Sequence, residues 1–387
     1  MIAPHGGRLV TRVLGDSERA RREAELADLP KLHPCVDELY DAEKIAIGAY
    51  SPLEGFMDRQ ATEEVVHRRA LPGGLPWTIP IHLAPRDKAD QAIVQSLQPG
   101  DAAALLDPTG GFVALLRISD KFPVDRSAIA QEVYGTRDPN HPNVADLLAA
   151  GPTALGGSLE LLRRLPAPTP RLELTPAQVR EEFGRRGWSR VAAYQCRNPP
   201  HTAHEYLQRA TLEREDVDGL LVHPVVGRLK RGDYRPEVIL ECYEALVREY
   251  YPQDRVMLSS LTVTMRYGGP RAALFYAIVR KNYGCLLYIV GRDQAGVGSY
   301  YDPYACHRIF DELPIDVVPL RYRETFFCRR CNGAATDRTC PHPVSERLVI
   351  AQTELRRRLK AGEPLPAEVL RPEVAAILSR PNVLLTA

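Results

Sequence analysis

Residues 190–210 read RVAAYQCRNPPHTAHEYLQRA. The stretch opens as a short apolar strand, breaks at two prolines and continues with helical spacing. The same unit recurs downstream. Strands are expected at 190–195, 220–226, 256–261, 285–290 and 315–320, and helices at 202–215, 236–251, 270–283 and 303–313. Five strands alternating with four helices imply right-handed crossovers and a doubly wound parallel sheet, hence an α/β fold. In such sheets ligands bind outside the carboxyl ends of the strands. The loops after Gln195, Val226, Leu261 and Val290 are therefore where chemistry is expected.

Upstream, the apolar runs 102–106 and 112–118 flank Asp107-Pro108-Thr109-Gly110-Gly111, the pattern of a β-hairpin in a mostly β region with some helix. Leu165-Pro166-Ala167-Pro168-Thr169-Pro170 reads as a linker, and Thr175-Pro176 as a helix start that Gly187 closes. The chain has 387 residues, 44% of them hydrophobic and 26% charged, an ordinary globular composition with room for two or three domains. No apolar run approaches the roughly 20 residues of a membrane span, and the first residues lack a signal-peptide block. A soluble cytoplasmic protein without membrane partners is expected. Fifty Lys+Arg against 49 Asp+Glu leave a net charge of +1, so no polyanion footprint marks a nucleic-acid partner. Any anion site must be built locally.

The first loop, Gln195-Cys196-Arg197-Asn198-Pro199-Pro200-His201-Thr202-Ala203-His204, has the means. A helix starting near His201 sets His201 and His204 one turn apart beside unpaired backbone N–H groups and the positive end of the helix dipole. Arg197 adds a planar fork of donors and Asn198 an amide. Each alone could simply cap or solvate a loop, whereas all of them at one strand-to-helix switch point to an anion. After the second strand, Gly227-Arg228-Leu229-Lys230-Arg231-Gly232-Asp233 holds two glycines and three cations in seven residues; it suits a wrapped anion, and a solvated basic turn would look the same. Met265-Arg266-Tyr267-Gly268-Gly269-Pro270-Arg271 opens the next helix, and Gly291-Arg292-Asp293-Gln294-Ala295-Gly296-Val297-Gly298 follows the fourth strand.

The string QCRNPPHTAHEYL resembles the QTRNPxHxAHE signature of the ATP sulfurylase (sulfate adenylyltransferase) family. HPVVGRLKRGD, MRYGGPR, RKNYG, GRDQAGVGSYY and the early SPLEGFM are similar to further blocks of that family in the same order, so the resemblance covers nearly the whole chain. It implies a PUA-like mostly β domain (1–168), a nucleotidyltransferase domain (169–323) and a small C-terminal zinc-containing helical domain (324–387). It implies conversion of ATP and sulfate to adenosine 5′-phosphosulfate and pyrophosphate, with Mg²⁺ travelling on the nucleotide, in a homo-oligomer, a dimer or larger. Gln195, Arg197, Arg292 and the Ala295 backbone would hold sulfate; Gln195, Asn198, His201, His204, Gly291 and Asp293 would contact the nucleotide, with Arg197, Asn198, His201 and His204 at the reacting groups.

Electrostatics makes the same demand. A dianion must approach a nucleotide already carrying about four negative charges, and like charges about 4 Å apart cost roughly 4 kcal/mol at an effective dielectric of about 20. Cationic lining is required, and His201 and His204 are expected to stabilise the departing pyrophosphate. The attacking oxygen is already ionised, so no protein nucleophile is needed; Cys196 has no histidine arranged to activate it.

The sequence departs from the family pattern at Gln294 (usually His), Ala272 (Glu) and Tyr276 (His), and a Ser-Gly-Thr element stands as Ala351-Gln352-Thr353. These changes leave two further readings open: an adenylyltransferase with another oxyanion or organic acceptor, and a non-catalytic nucleotide or anion sensor. Cys328-x2-Cys331-x8-Cys340-x-His342 has the spacing of a closed tetrahedral structural Zn²⁺ site. Residues 345–387 read as helical, with Arg356 to Lys360 a solvated cationic face. No Gly-x4-Gly-Lys-Ser/Thr occurs, so a fused kinase is not expected.

Overall fold

Two sheets meet across a buried polar seam in the computed structural model, which describes residues 1–228, 231–349 and 352–385. The N-terminal sheet comprises β1 (Lys31–Leu32), β2 (Gly55–Phe56), β3 (Ala102–Leu106), β4 (Phe112–Pro123) and β5 (Thr153–Leu161), in the order β1-β3-β4-β5-β2. The expected hairpin is β3 with β4, antiparallel. Its turn is shaped by the Asp107 carboxylate, which accepts from the N–H groups of Thr109 (2.8 Å) and Gly111 (2.9 Å), while Gly110 takes a φ of 84°. Helix α1 (Val36–Ala46) starts in a capping box between Cys35 and Glu38 and lies between the two sheets.

The second sheet comprises β6 (Val191–Tyr194), β7 (Gly219–Val222), β8 (Val256–Leu258), β9 (Leu287–Val290) and β10 (Val318–Arg321), in the order β10-β9-β6-β7-β8 with every pairing parallel. Sheet order reverses at β6, as the doubly wound reading requires. β6, β7 and β8 end sooner than their apolar runs do. Past Val222 the backbone leaves the ladder, His223 N–H bonding to the Tyr194 carbonyl at 2.9 Å, and Val225 rejoins Leu261 only as an isolated bridge. Helices α2 (Pro176–Arg185), α3 (Thr202–Leu212), α4 (Pro236–Tyr250), α5 (Gly269–Asn282) and α6 (Ala305–Glu312) cover the sheet. Every residue of α5 from Ala272 to Asn282 is buried, because this helix is wedged between the sheet and the N-terminal domain. Its last residue, Asn282, donates to the carbonyls of Ala49 and Ser51 at 3.0 Å each and accepts from His5 N–H at 2.9 Å.

At the seam, Lys44 is fully buried, 2.9 Å from the Glu173 carboxylate and 3.4 Å from Glu43. Glu173 also accepts from Ser260 Oγ (2.7 Å), Thr262 N–H (2.9 Å) and Thr262 Oγ1 (2.9 Å). Burial opposes the Glu173 charge, and Lys44 together with these donors overrides it, holding its pKa below the ordinary carboxylate value. The stabilisation is thus present above the unfolded carboxylate range and lost as pH falls through the depressed folded value. Glu173→Gln leaves Lys44 without its closest counter-charge and is expected to cost about 3 kcal/mol. Urea unfolding checks this, and a midpoint equal to that of the parent chain would contradict it.

The C-terminal part divides in two. β11 (Thr325–Cys328), β12 (Gly333–Thr336) and β13 (Arg347–Leu348) form a small antiparallel sheet in the order β12-β11-β13. The helical expectation for 345–387 is met only by α7 (Gln352–Ala361) and α8 (Pro372–Leu378), whose Leu355, Val374, Ile377 and Leu378 pack into the core of the parallel sheet rather than around the cysteines. Among the described residues no helix is long and apolar enough to cross a membrane.

Candidate active site

A cavity of about 440 Å³ opens at the carboxyl edge of the parallel sheet, where the loops after β6 and β9 diverge. Gln195, Arg197, Asn198, His201, His204, Gly291, Arg292, Asp293 and Ala295 all line it. The prolines at 199 and 200 hold the chain extended, so His201 becomes the N-cap of α3 (φ −139°, ψ 171°) without bonding through its ring. The C-terminal segment steadies this helix start: Thr202 N–H donates to the Val369 carbonyl at 2.8 Å. The rings of His201 and His204 stack at 3.7 Å between centroids and 28° between planes.

Burial pushes His201 down to about 4, and burial followed by the neighbouring His201 ring pushes His204 well below its ordinary value. Both rings are therefore neutral hydrogen-bonding groups near pH 7 rather than the cations that would oppose a pyrophosphate by charge, and His204 Nδ1 is buried with no partner. The unfolded imidazoles take up protons near pH 6.5 that the folded ones refuse, His201 until about 4, so acidification below 6.5 subtracts stability. In the ligand-free protein His201 is expected to titrate near 4 by NMR. A midpoint near 6.5 would place it in solvent.

Positive charge comes from arginine. Arg197 lies 3.4 Å from Asp233 and 5.2 Å over the Tyr267 ring, and Arg356 reaches the same carboxylate at 3.0 Å. Burial lowers the Arg197 pKa, and Asp233 counters this. Arg356 is thus not part of a solvated face, as its helical position suggests, because α7 turns it inward on the carboxylate that holds Arg197. Arg292 is half-exposed, 3.6 Å from Glu324. Its loop bends through positive φ at Asp293 (54°) and Ala295 (55°), and three of its carbonyls are engaged by neighbouring donors: Gly291 with His307 Nε2 (3.2 Å), Gln294 with Cys306 Sγ (2.8 Å), Ala295 with Gly269 N–H (3.0 Å).

Of the four loops with anion-suited composition, the first and last face the cavity with their arginines. In the other two, Arg228, Arg266 and Arg271 turn to the N-terminal domain. Arg228 pairs with Asp146 and, at 3.1 Å, with Asp37; Arg266 Nη2 donates to both carboxylate oxygens of Asp41 at 2.6 and 2.7 Å; Arg271 donates to the carbonyls of Val65 and Val66. The third loop instead supplies Met265 and Tyr267 to the cavity. Their backbone is pinned by the N-terminal domain, Asn143 accepting from Tyr267 N–H at 2.6 Å and donating to the Met265 carbonyl at 3.3 Å. Leu229, Lys230 and Ala351, singled out in the sequence, lie outside the described residues. Ala272 and Tyr276 are fully buried, the Tyr276 hydroxyl accepting from Arg266 N–H at 2.9 Å, so these two departures touch the loop's support rather than the cavity. Burial raises the Cys196 thiol to about 12, which removes it as a nucleophile.

Sequence reasoning did not single out Tyr267, Tyr288 or Asp233 as functional. The signal at Tyr288 was legible: one polar side chain in the otherwise aliphatic strand Leu287–Val290, three residues before the anion loop.

Beside the cavity, the ligand atoms of Cys328, Cys331, Cys340 and His342 lie within 4.8 Å of one another. His342 Nδ1 is 3.3, 3.3 and 3.5 Å from the three sulfurs, and the sulfurs of Cys331 and Cys340 are 3.7 Å apart. Zn–S bonds of about 2.3 Å and a Zn–N bond of about 2.0–2.1 Å in a tetrahedron require edges of about 3.8 Å between sulfurs and about 3.6 Å from sulfur to nitrogen. The donor set fits such an ion.

The ATP-sulfurylase family model matches residues 170–381, and a PUA-like domain model matches residues 2–164. The chain is 45% identical over 380 residues to a sulfate adenylyltransferase of Symbiobacterium thermophilum, covering 97% of this chain and 95% of that one. It is 46% identical over 381 residues to a sulfate adenylyltransferase of Aeropyrum pernix, covering 98% of each. A solved structure described as a hexameric APS kinase from Thiobacillus denitrificans superposes with a TM-score of 0.77 at 29% identity, over 99% of this chain and 69% of that one.

Proposed function

The chain belongs to the ATP-sulfurylase family and is a sulfate adenylyltransferase, and we propose that the cavity between the β6 and β9 loops is where ATP and sulfate react. A sulfate oxygen attacks the α-phosphorus, the bond from that phosphorus to the bridging oxygen breaks, and the electron pair leaves on pyrophosphate. The nucleophile arrives ionised, so the protein supplies alignment and electrostatic stabilisation instead of a base.

Gln195, Arg197, Arg292 and the Ala295 N–H bind sulfate in this reading. Asn198, His201 and His204 receive the phosphates at the start of α3, where the helix dipole adds to their donors, and Gly291 and Asp293 form the nucleotide side of the opposite wall. The neutral imidazoles act as N–H donors to the departing pyrophosphate. A divalent cation accompanies ATP, read here as Mg²⁺, and the Cys/His cluster is read as a structural Zn²⁺ site. An ATP-fed reaction suits the cytoplasm, and the family resemblance suits a homodimer, which light scattering would check.

One observation carries the assignment: Arg197, His201 and Arg292, from opposite loops, line a single cavity. The test is pyrophosphate release from ATP with sulfate or selenate as acceptor. Release that depends on the oxyanion is expected, and its absence with both would overturn the assignment.

A further inference from the structure

The Tyr288 hydroxyl stands 3.3 Å from Gln195 Oε1 and 3.3 Å from Gln294 Nε2. Tyr288 is fully buried on β9, and burial keeps its phenol protonated across the physiological range. A phenol has one proton to donate. Because the Gln294 amide donates into its oxygen, that proton is committed to Gln195 Oε1. The Gln195 carbonyl is then occupied, and its N–H₂ group is left for the cavity, with the weakly accepting Met265 Sδ at 3.9 Å.

The loop after β9 turns four of its carbonyls away from this end of the cavity. The carbonyls of Gly291, Gln294 and Ala295 are engaged elsewhere, as described, and that of Asp293 accepts from Gly296 N–H at 3.2 Å. The two carboxylates of the cavity face other groups: Asp293 folds back over Gly296, leaving no room there for a Cβ, and Glu324 faces Arg292.

We propose that Tyr288 and Gln294 are positioning residues that fix the polarity of the Gln195 amide, making this end of the cavity a donor-only wall selective for fully deprotonated tetrahedral oxyanions. The proposal rests on the reading of Gln195 as a sulfate ligand. Sulfate and selenate carry no proton at neutral pH and accept from every side. Phosphate and arsenate keep at least one, and an O–H facing N–H donors has no acceptor, which a desolvated site penalises.

Steady-state kinetics on the full chain provide the test, with phosphate and arsenate as competitive inhibitors against sulfate. Phosphate is expected to bind the parent enzyme on the order of 100-fold more weakly than sulfate. In Tyr288→Phe the Gln195 amide is free to rotate, and sulfate KM should rise about tenfold with kcat within about threefold. The phosphate-to-sulfate selectivity should shrink about tenfold at the same time. Gln294→Glu inverts the relay, since a carboxylate only accepts: the phenol proton turns to it and the Gln195 carbonyl turns to the cavity. Added negative charge alone would weaken both oxyanions together, whereas inversion weakens sulfate and favours phosphate, so the ratio is the decisive readout. Selectivity at the parent value in both variants, with Gln195→Ala raising sulfate KM, would overturn the relay and spare the sulfate site. An unchanged sulfate KM in Gln195→Ala would instead remove the underlying reading.

Discussion

Arg197→Ala is expected to lower kcat/KM for sulfate by about 10³-fold, close to 4 kcal/mol, with the fold intact. Arg197 is better buried than Arg292, which is half-exposed and screened and contributes less. A guanidinium held by Asp233 and by the Tyr267 face is already oriented before the substrates arrive, so its donors need no reorganisation as charge moves from sulfate to pyrophosphate. Removing it leaves a dianion and a polyanion to approach between neutral histidines. Arg197→Lys should recover little, because an ammonium lacks the planar fork that spans two oxygens. Turnover near that of the parent chain in Arg197→Ala, measured as sulfate-dependent pyrophosphate release, would show that the guanidinium does not face the reacting groups.

The doubly wound sheet was legible because β6, β7 and β9 are buried on both faces and so appear as aliphatic runs, and because prolines or glycines follow the ends of these three strands. The histidine pair was legible for a similar reason, since two prolines leave few places for α3 to begin. Destinations of charge were not. Arg228, Arg266 and Arg271 sit in loops of the same composition as Arg197 and Arg292, yet they pair with Asp37, Asp41, Asp146 and backbone carbonyls of the N-terminal domain, 82 to 225 residues away in sequence. Glycine and arginine content reports that a loop can hold an anion. Which loop does so depends on a domain interface that no local window contains. The protonation of His201 is another such property, because the desolvation that neutralises it comes from the three-dimensional cavity it lines. Arg356 inverts the case, with a solvated helical pattern overridden by one distant carboxylate.

Removal of the proposed zinc is expected to unfold the small sheet and take activity with it. The described apolar core of β11 and β12 is Phe326, Cys328, Ala335 and Cys340, two of which are candidate metal ligands. Apolar burial on that scale cannot offset the conformational entropy of ordering about 20 residues, at about 1–2 kcal/mol each, whereas structural zinc supplies about 10 kcal/mol or more in domains of this size. The consequence reaches the cavity because Arg323, Glu324 and Thr325, leading into β11, form part of its wall, and because β11 and β12 pack against α3, whose first turn carries the histidines. Purified protein should contain about one zinc per chain by elemental analysis. Chelation, or Cys340→Ser, should release it, lower the melting temperature and reduce sulfate-dependent pyrophosphate release, while added zinc restores the chelated protein but not the variant. Zinc-free protein that melts and turns over like the zinc-loaded form would show that hydrogen bonds among the four side chains suffice to hold the sheet.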